Sequence, residues 1–225
     1  MNKRRLDGLF KALDAAYGPQ HWWPANSRME MLIGAILVQN TAWQNVEKAI
    51  ANLAAAGWLD AGKIHALPEQ QLAEAIRPAG YFNVKARRLK ALCAWLHTQG
   101  SLNALDAWST PSLRTALLAV HGVGPETADC ILVYAYQRPV FVVDAYTQRL
   151  LMRLGWLEQP ADYEGLRAVF ERTQPQDAEQ LGQYHALIVE HAKQQCRARP
   201  QCESCVLRPQ CQQGNRQQEN EQHEC

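Results

Sequence analysis

Leu118-Ala119-Val120-His121-Gly122-Val123-Gly124-Pro125-Glu126-Thr127-Ala128 joins two apolar helical stretches through a pair of glycines. Upstream, Pro111 to Val120 reads at helical spacing, and downstream Ala128 to Ala135 does the same. Gly122 and Gly124 let the chain reverse sharply and bring backbone N–H groups out at a helix start. Oriented amides and the helix dipole favour an anion without any side-chain charge, so a hairpin of this kind can hold a phosphate. A tight turn between packed helices with no ligand has the same pattern, and the glycines alone do not decide between the two.

Outward from the hairpin, nearly every segment reads as helix. A first helix is expected from Asn2 to Tyr17, stopped by Gly18-Pro19. Others run from Arg28 to Gln39, Thr41 to Ala55, Pro68 to Ile76 and, strongly basic, Val84 to Gln99. The one β-rich run, Pro139-Val140-Phe141-Val142-Val143, is short enough to be an extended connector, so the fold class is all-α. The 225 residues, 47% hydrophobic, suffice for one large or two small domains with a proper core. The longest apolar run, Met31 to Val38, falls far short of the ~20 residues of a membrane span. Lys11 and Asp14 interrupt the N-terminal apolar residues, so no signal peptide is read there and the bacterial-type cytoplasm, at the nucleoid, is expected.

A formal net charge of +1 excludes a global attraction to nucleic acid, leaving local clusters to supply any such binding. Lys3-Arg4-Arg5, the run Lys85 to Lys90 and the region Lys193 to Arg208 carry most of the positive charge, although each also reads as a solvated helix face. Residues 212–225, rich in Gln, Asn and Glu, are expected to be a disordered tail. Cys93, Cys130 and Cys225 have no motif partner.

Four other cysteines form a quartet, Cys196-x5-Cys202-x2-Cys205-x5-Cys211, which ordinary packing does not require. A metal centre is the first reading and disulfides the competing one, disfavoured by the missing signal peptide. Structural zinc usually takes two close pairs, and only Cys202 and Cys205 form one. One close pair flanked by single cysteines favours a [4Fe–4S] cluster and leaves zinc as the alternative.

The hairpin stretch resembles the helix-hairpin-helix of the endonuclease III DNA glycosylase superfamily. Val142-Val143-Asp144-Ala145-Tyr146 resembles the segment bearing its catalytic aspartate, and the quartet stands where many members bind [4Fe–4S]. Val38-Gln39-Asn40-Thr41 is similar to the segment that inserts a glutamine into the DNA stack, and Gly80-Tyr81-Phe82-Asn83-Val84-Lys85-Ala86 to the loop that probes the opposite strand. The resemblance spans roughly residues 28 to 211. It implies two helical domains with DNA in a cleft between them: residues 25–137 as a six-helix domain with the hairpin at about 113–135, and 1–24 plus 138–211 as a cluster domain. Hairpin and Asp144 would then face each other across that cleft.

A glycosylase must rotate the target nucleotide out of the duplex and fill the gap. By resemblance Gln39 and Tyr81 are the fillers, and Gly122, Val123, Gly124, Thr127 and Lys85 also contact double-stranded DNA. Cleaving the glycosidic bond builds positive charge on the sugar, and a carboxylate stabilises that state or activates water. Asp144 has this role by family position, though it could also cap a helix starting at Ala145. Bifunctional members carry a lysine where this chain has Glu126, and a carboxylate cannot form a Schiff base, so a monofunctional enzyme is expected. Ala35 stands where the adenine-mispair branch has a catalytic glutamate.

Trp22-Trp23-Pro24, Trp43, Glu126 and the Asp-x-Tyr of Asp144 and Tyr146 bring the chain nearest to the 3-methyladenine branch. Trp23, Pro24, Trp43, Glu126 and Tyr146 are therefore the expected base pocket of a monomeric enzyme, with Trp22 a core residue. Two departures stand out: the first cysteine gap holds five residues where the family usually has six, and the 3-methyladenine branch includes members without cysteines. Besides the alkylpurine glycosylase, two alternatives remain: a glycosylase for another lesion (a damaged pyrimidine, a deaminated or mismatched base) and a non-catalytic DNA-binding cluster protein.

Overall fold

The structure, a computed structural model, describes residues 1–215, and among these every regular element is helical. The β-rich run 139–143 forms no strand and is an extended connector. The chain divides into two compact units, Trp23–Arg138 and Met1–Trp22 with Pro139–Cys225.

In the unit Trp23–Arg138, α2 (Arg28–Leu37) is buried along almost its whole length, as expected of a helix that is apolar beyond its first turn. Around it pack α3 (Trp43–Ala55), α6 (Phe82–Thr98), α8 (Pro125–Cys130) and the π-helical turn Ile131–Ala135 that continues α8. The short helices α4 (Ala61–Ala66) and α5 (Glu69–Ala75) lie against α6, and α7 (Thr110–Leu118) precedes the hairpin. Arg114 of α7 grips Asp129 of α8 through two bonds, Nε–Oδ1 at 2.7 Å and Nη2–Oδ2 at 3.1 Å, with the aspartate fully buried. This bidentate pair fixes the angle at which the two hairpin helices meet.

In the other unit, α1 (Lys3–Tyr17) lies against α11 (Ala178–Gln194), with α9 (Ala145–Arg153) and α10 (Tyr163–Thr173) completing the layer. Leu6, Leu9 and Leu13, spaced for one helix face, enter a core with Phe141, Phe170 and Tyr184. The Phe141 and Phe170 rings stack at 3.8 Å, and the Tyr184 hydroxyl donates to Leu6 O at 2.9 Å. Four residues of the expected disordered tail are ordered. Residues 212–215 form a helical turn, and the Gln212 side chain lies so close to Gly155 that a Cβ there would sit 2.4 Å from it. Residues 216–225, including Cys225, lie outside the described residues. Among the described residues no helix is long and apolar enough to cross a membrane.

Candidate functional site

The hairpin turn requires glycine at Gly122 on two counts. Its φ is +86°, and a Cβ would lie 2.2 Å from Arg88 Cγ. At Gly124 a Cβ would meet nothing within 4 Å, and Gly124 caps α8 without a side-chain hydrogen bond. That glycine leaves open space beside the first turn of α8 instead of relieving strain. Glu126 is exposed in that first turn, Val123 and Thr127 are buried, and no lysine occupies the turn.

Gln39 lies in the loop after α2, and its amide is held at both ends. Nε2 donates to Gly122 O at 3.1 Å and to Thr127 Oγ1 at 3.0 Å, while Oε1 accepts from Arg88 Nη1 at 2.6 Å. Tyr81 is the opposite case: 73% exposed, with φ +46°, directly before α6. Sequence reasoning missed Arg88, the residue that binds Gln39 and packs under Gly122.

Lys85 corrects an expectation. It is only 1% exposed and does not offer its charge to a DNA phosphate. Nζ donates to Leu37 O at 2.8 Å, to Ala79 O at 2.8 Å and to Thr41 Oγ1 at 2.5 Å. Burial, with the nearby Arg88 charge, pushes its pKa down to about 8.

Trp23 and Trp43 meet edge to face, ring centroids 5.1 Å apart at 89°, and Tyr134 of the π-helical turn lies 5.7 Å from Trp23. The Trp23 indole covers Gly34 of α2, where a Cβ would come within 3.2 Å of Nε1. Trp43 is oriented by donating Nε1–H to Glu47 Oε1 at 3.0 Å, and Pro24 is exposed. Tyr134 was not foreseen. Trp22 is half-buried in the other unit, with Lys193 Nζ 4.8 Å above its ring.

Asp144 is the N-cap of α9, as its sequence position also allowed. Oδ1 accepts from the Thr147 amide at 2.7 Å and from the Thr147 hydroxyl at 2.8 Å, while Oδ2 faces His185 Nε2 at 3.5 Å. Burial alone would raise the carboxyl's pKa. The hydrogen bond and charge of His185, with the two Thr147 bonds, outweigh burial and hold it below the ordinary carboxylate value. The group is therefore an anion at neutral pH, with one oxygen committed to the cap. Tyr146 is half-buried beside it, with the Arg149 guanidinium 5.0 Å over its ring.

Cys196, Cys202, Cys205 and Cys211 line one pocket, together with Leu150, Arg153 and His191 among others. Among the described residues no three His, Cys, Asp or Glu side chains are gathered for a single metal ion. Four thiols on one pocket are a donor set of the kind that holds a zinc ion or an iron–sulfur group. Arg153 braces the loop, donating to Arg197 O and Ala198 O and approaching Cys196 Sγ at 3.3 Å. His191 Nε2 lies 3.8 Å from Cys205 Sγ, and its Nδ1 is 2.9 Å from the Tyr17 hydroxyl.

The comparisons with known proteins agree with these features. A family model described as HhH-GPD superfamily base excision DNA repair protein matches residues 33–175. A Methanocaldococcus jannaschii protein named as a DNA repair glycosylase is 45% identical over 206 residues, covering 90% of this chain and 94% of its own length. The endonuclease III of Sulfolobus acidocaldarius is 28% identical over 182 residues, 80% of this chain and 79% of the relative. Among solved structures, the H. pylori 3-methyladenine DNA glycosylase bound to 1,N6-ethenoadenine superimposes with a TM-score of 0.74 at 32% identity, covering 86% of this chain and 98% of that one. A non-covalent endonuclease III–DNA complex shares the fold, with a TM-score of 0.83 at 23% identity over 97% of this chain and 99% of that one. The hairpin between α7 and α8, the capped Asp144 and these matches together identify the chain as a member of the HhH-GPD superfamily of base excision DNA repair proteins.

Proposed function

We propose that this chain is a monofunctional DNA glycosylase that rotates a damaged base out of double-stranded DNA and releases it by hydrolysis, with an alkylated purine such as 3-methyladenine as substrate. The observation that carries the reading is the aromatic cluster of Trp23, Trp43 and Tyr134. An alkylated purine bears a delocalised positive charge, which electron-rich rings attract by roughly 1–2 kcal/mol per well-placed ring when desolvated. Likeness to the H. pylori 3-methyladenine glycosylase supports the same class. In this reading Trp23, Pro24, Trp43, Glu126 and Tyr146 bound the base, and Tyr134 adds a wall that the sequence did not announce.

Asp144 performs the chemistry. Its Oδ2 stabilises the positive charge that grows on the sugar as the base departs, or takes a proton from the attacking water. Thr147 keeps the carboxylate turned for this by occupying Oδ1. The purine's own charge has already weakened the glycosidic bond, so no second carboxylate is needed. Glu126 cannot attack the sugar to form an imine, and the abasic strand is left intact. Tyr81 enters the gap in the stack, with Gln39 as the second filler, while the Gly122–Gly124 turn and Thr127 hold the phosphate backbone. Such an enzyme acts as a monomer.

The cysteine quartet holds a [4Fe–4S] cluster that braces the loop carrying Arg197, Arg199 and Arg208 toward phosphates and supplies no step of the reaction. Iron and sulfide analysis of anaerobically purified protein, with visible absorption spectra, tests this assignment against zinc.

The activity is tested with duplexes each bearing one lesion, followed with and without alkali. Release of 3-methyladenine, with strand breaks only after alkali, is expected. Strand breaks without alkali, or a borohydride-trapped covalent adduct, would overturn the monofunctional reading. Release of a damaged pyrimidine but not alkylpurine would instead favour a glycosylase for another lesion.

A further inference from the structure

Among the described residues Lys85 bonds to no carboxylate: its Nζ donates to Leu37 O, Ala79 O and Thr41 Oγ1. A fully buried ammonium among neutral partners is costly, and a leucine in its place would fill the same layer of α6 with no such cost. Its acceptors explain why the charge is there. Leu37 is the last residue of α2, and Ala79 the last of the 3₁₀ turn Arg77–Ala79, so both carbonyls belong to helix ends that lack the next intrahelical donor. The negative end of the α2 dipole takes the place of a carboxylate.

These two ends launch the two loops that carry the proposed gap fillers. Residues 38–41 hold Gln39 and Asn40, the latter at φ +53°, and residues 80–81 hold Gly80 at φ +66° and Tyr81 at φ +46°. Thr41 Oγ1 ties them directly, donating to Ala79 O at 2.6 Å while accepting from Lys85. One turn further along α6, Arg88 holds the Gln39 amide against the hairpin.

We propose that Lys85 is a positioning residue that locks the Gln39 loop and the Tyr81 loop into one register, so that both fillers reach a damaged duplex together. It acts from behind the loops and touches no DNA. The inference rests on the glycosylase reading but not on the identity of the lesion.

The test uses the full chain and two duplexes, one undamaged and one carrying a tetrahydrofuran abasic analogue with 2-aminopurine beside it. Wild type binds the abasic duplex more tightly and brightens the 2-aminopurine as the fillers unstack it. In Lys85→Met, affinity for the abasic duplex falls roughly tenfold or more and the fluorescence gain is lost. Binding to the undamaged duplex changes less than about twofold, and the salt slope of log K stays the same, because no phosphate contact has gone. A phosphate-binding lysine would instead weaken both duplexes alike and flatten that slope by about one unit, which would overturn the proposal. So would a Lys85→Met protein with wild-type preference and fluorescence. Should Lys85→Met fail to fold, Thr41→Val decides by the same measurements, since it cuts the direct tie between the loops and leaves the lysine. A wild type with no preference for the abasic duplex would take down the glycosylase reading and this proposal with it.

Discussion

The two units commit their polar side chains in opposite ways. In Trp23–Arg138, Gln39, Lys85, Arg88 and Thr41 direct their donors and acceptors at one another and at neighbouring backbone, and Arg114 and Asp129 close a buried pair behind the hairpin. In the unit built from the chain ends, the corresponding contacts are looser. Asp144 has one oxygen fixed by Thr147 and the other 3.5 Å from His185, and four thiols border a cavity. Loop geometry can thus be built from inside with neutral acceptors, whereas the carboxylate that must meet a growing charge is fixed through one oxygen and faces a histidine through the other.

Four experiments break or sharpen this contrast. Asp144→Asn should lower the single-turnover rate of base release about 10³-fold while leaving duplex binding intact, because the amide keeps a capping oxygen but loses the charge. A loss of binding instead would make Asp144 a structural cap. Next in size, Asp129→Ala should cost about 3 kcal/mol in urea unfolding, since it removes both charge-assisted bonds between the mostly buried Arg114 and the hairpin. A change below about 0.5 kcal/mol would mean that the hairpin does not depend on the pair. Trp43→Ala should slow 3-methyladenine excision about tenfold, the loss of one well-placed ring, and an unchanged rate would remove the aromatic pocket. The smallest effect is on acid stability. The native Asp144 carboxyl titrates below the ordinary 3.8, so its contribution is complete above that value and is lost as pH falls through the lower native pKa. Urea midpoints between pH 3 and pH 6 should fall less steeply on acidification in Asp144→Asn than in wild type.

Much of this was legible in the chain. Gly122 and Gly124 announced the hairpin, although only Gly122 is required by conformation and space. Asp144 directly before a helix starting at Ala145 announced a possible cap. Lys85 was misread because composition groups it with Arg87, Arg88 and Lys90, whereas helical phase groups it with Leu89, Leu92 and Leu96, the buried stripe of α6. That phase was the available signal. His185 sits likewise among Leu181, Tyr184 and Ile188 on the buried face of α11, but nothing local to it tells which residue of a distant segment it will meet. Tyr134 escaped notice because a π-helical turn rotates side chains away from the 3.6-residue phase on which apolar patterns are read.

The unit made from both chain ends bears on how the protein is born. Leu6, Leu9 and Leu13 of α1 find cover against α11, which starts only at Ala178. At about 5–20 residues per second, a ribosome would expose that apolar stripe for roughly ten to thirty seconds, while the whole Trp23–Arg138 unit emerges and can fold. Translation thus favours completing the unit that holds the hairpin first, and α1 is the segment most in need of a chaperone during synthesis.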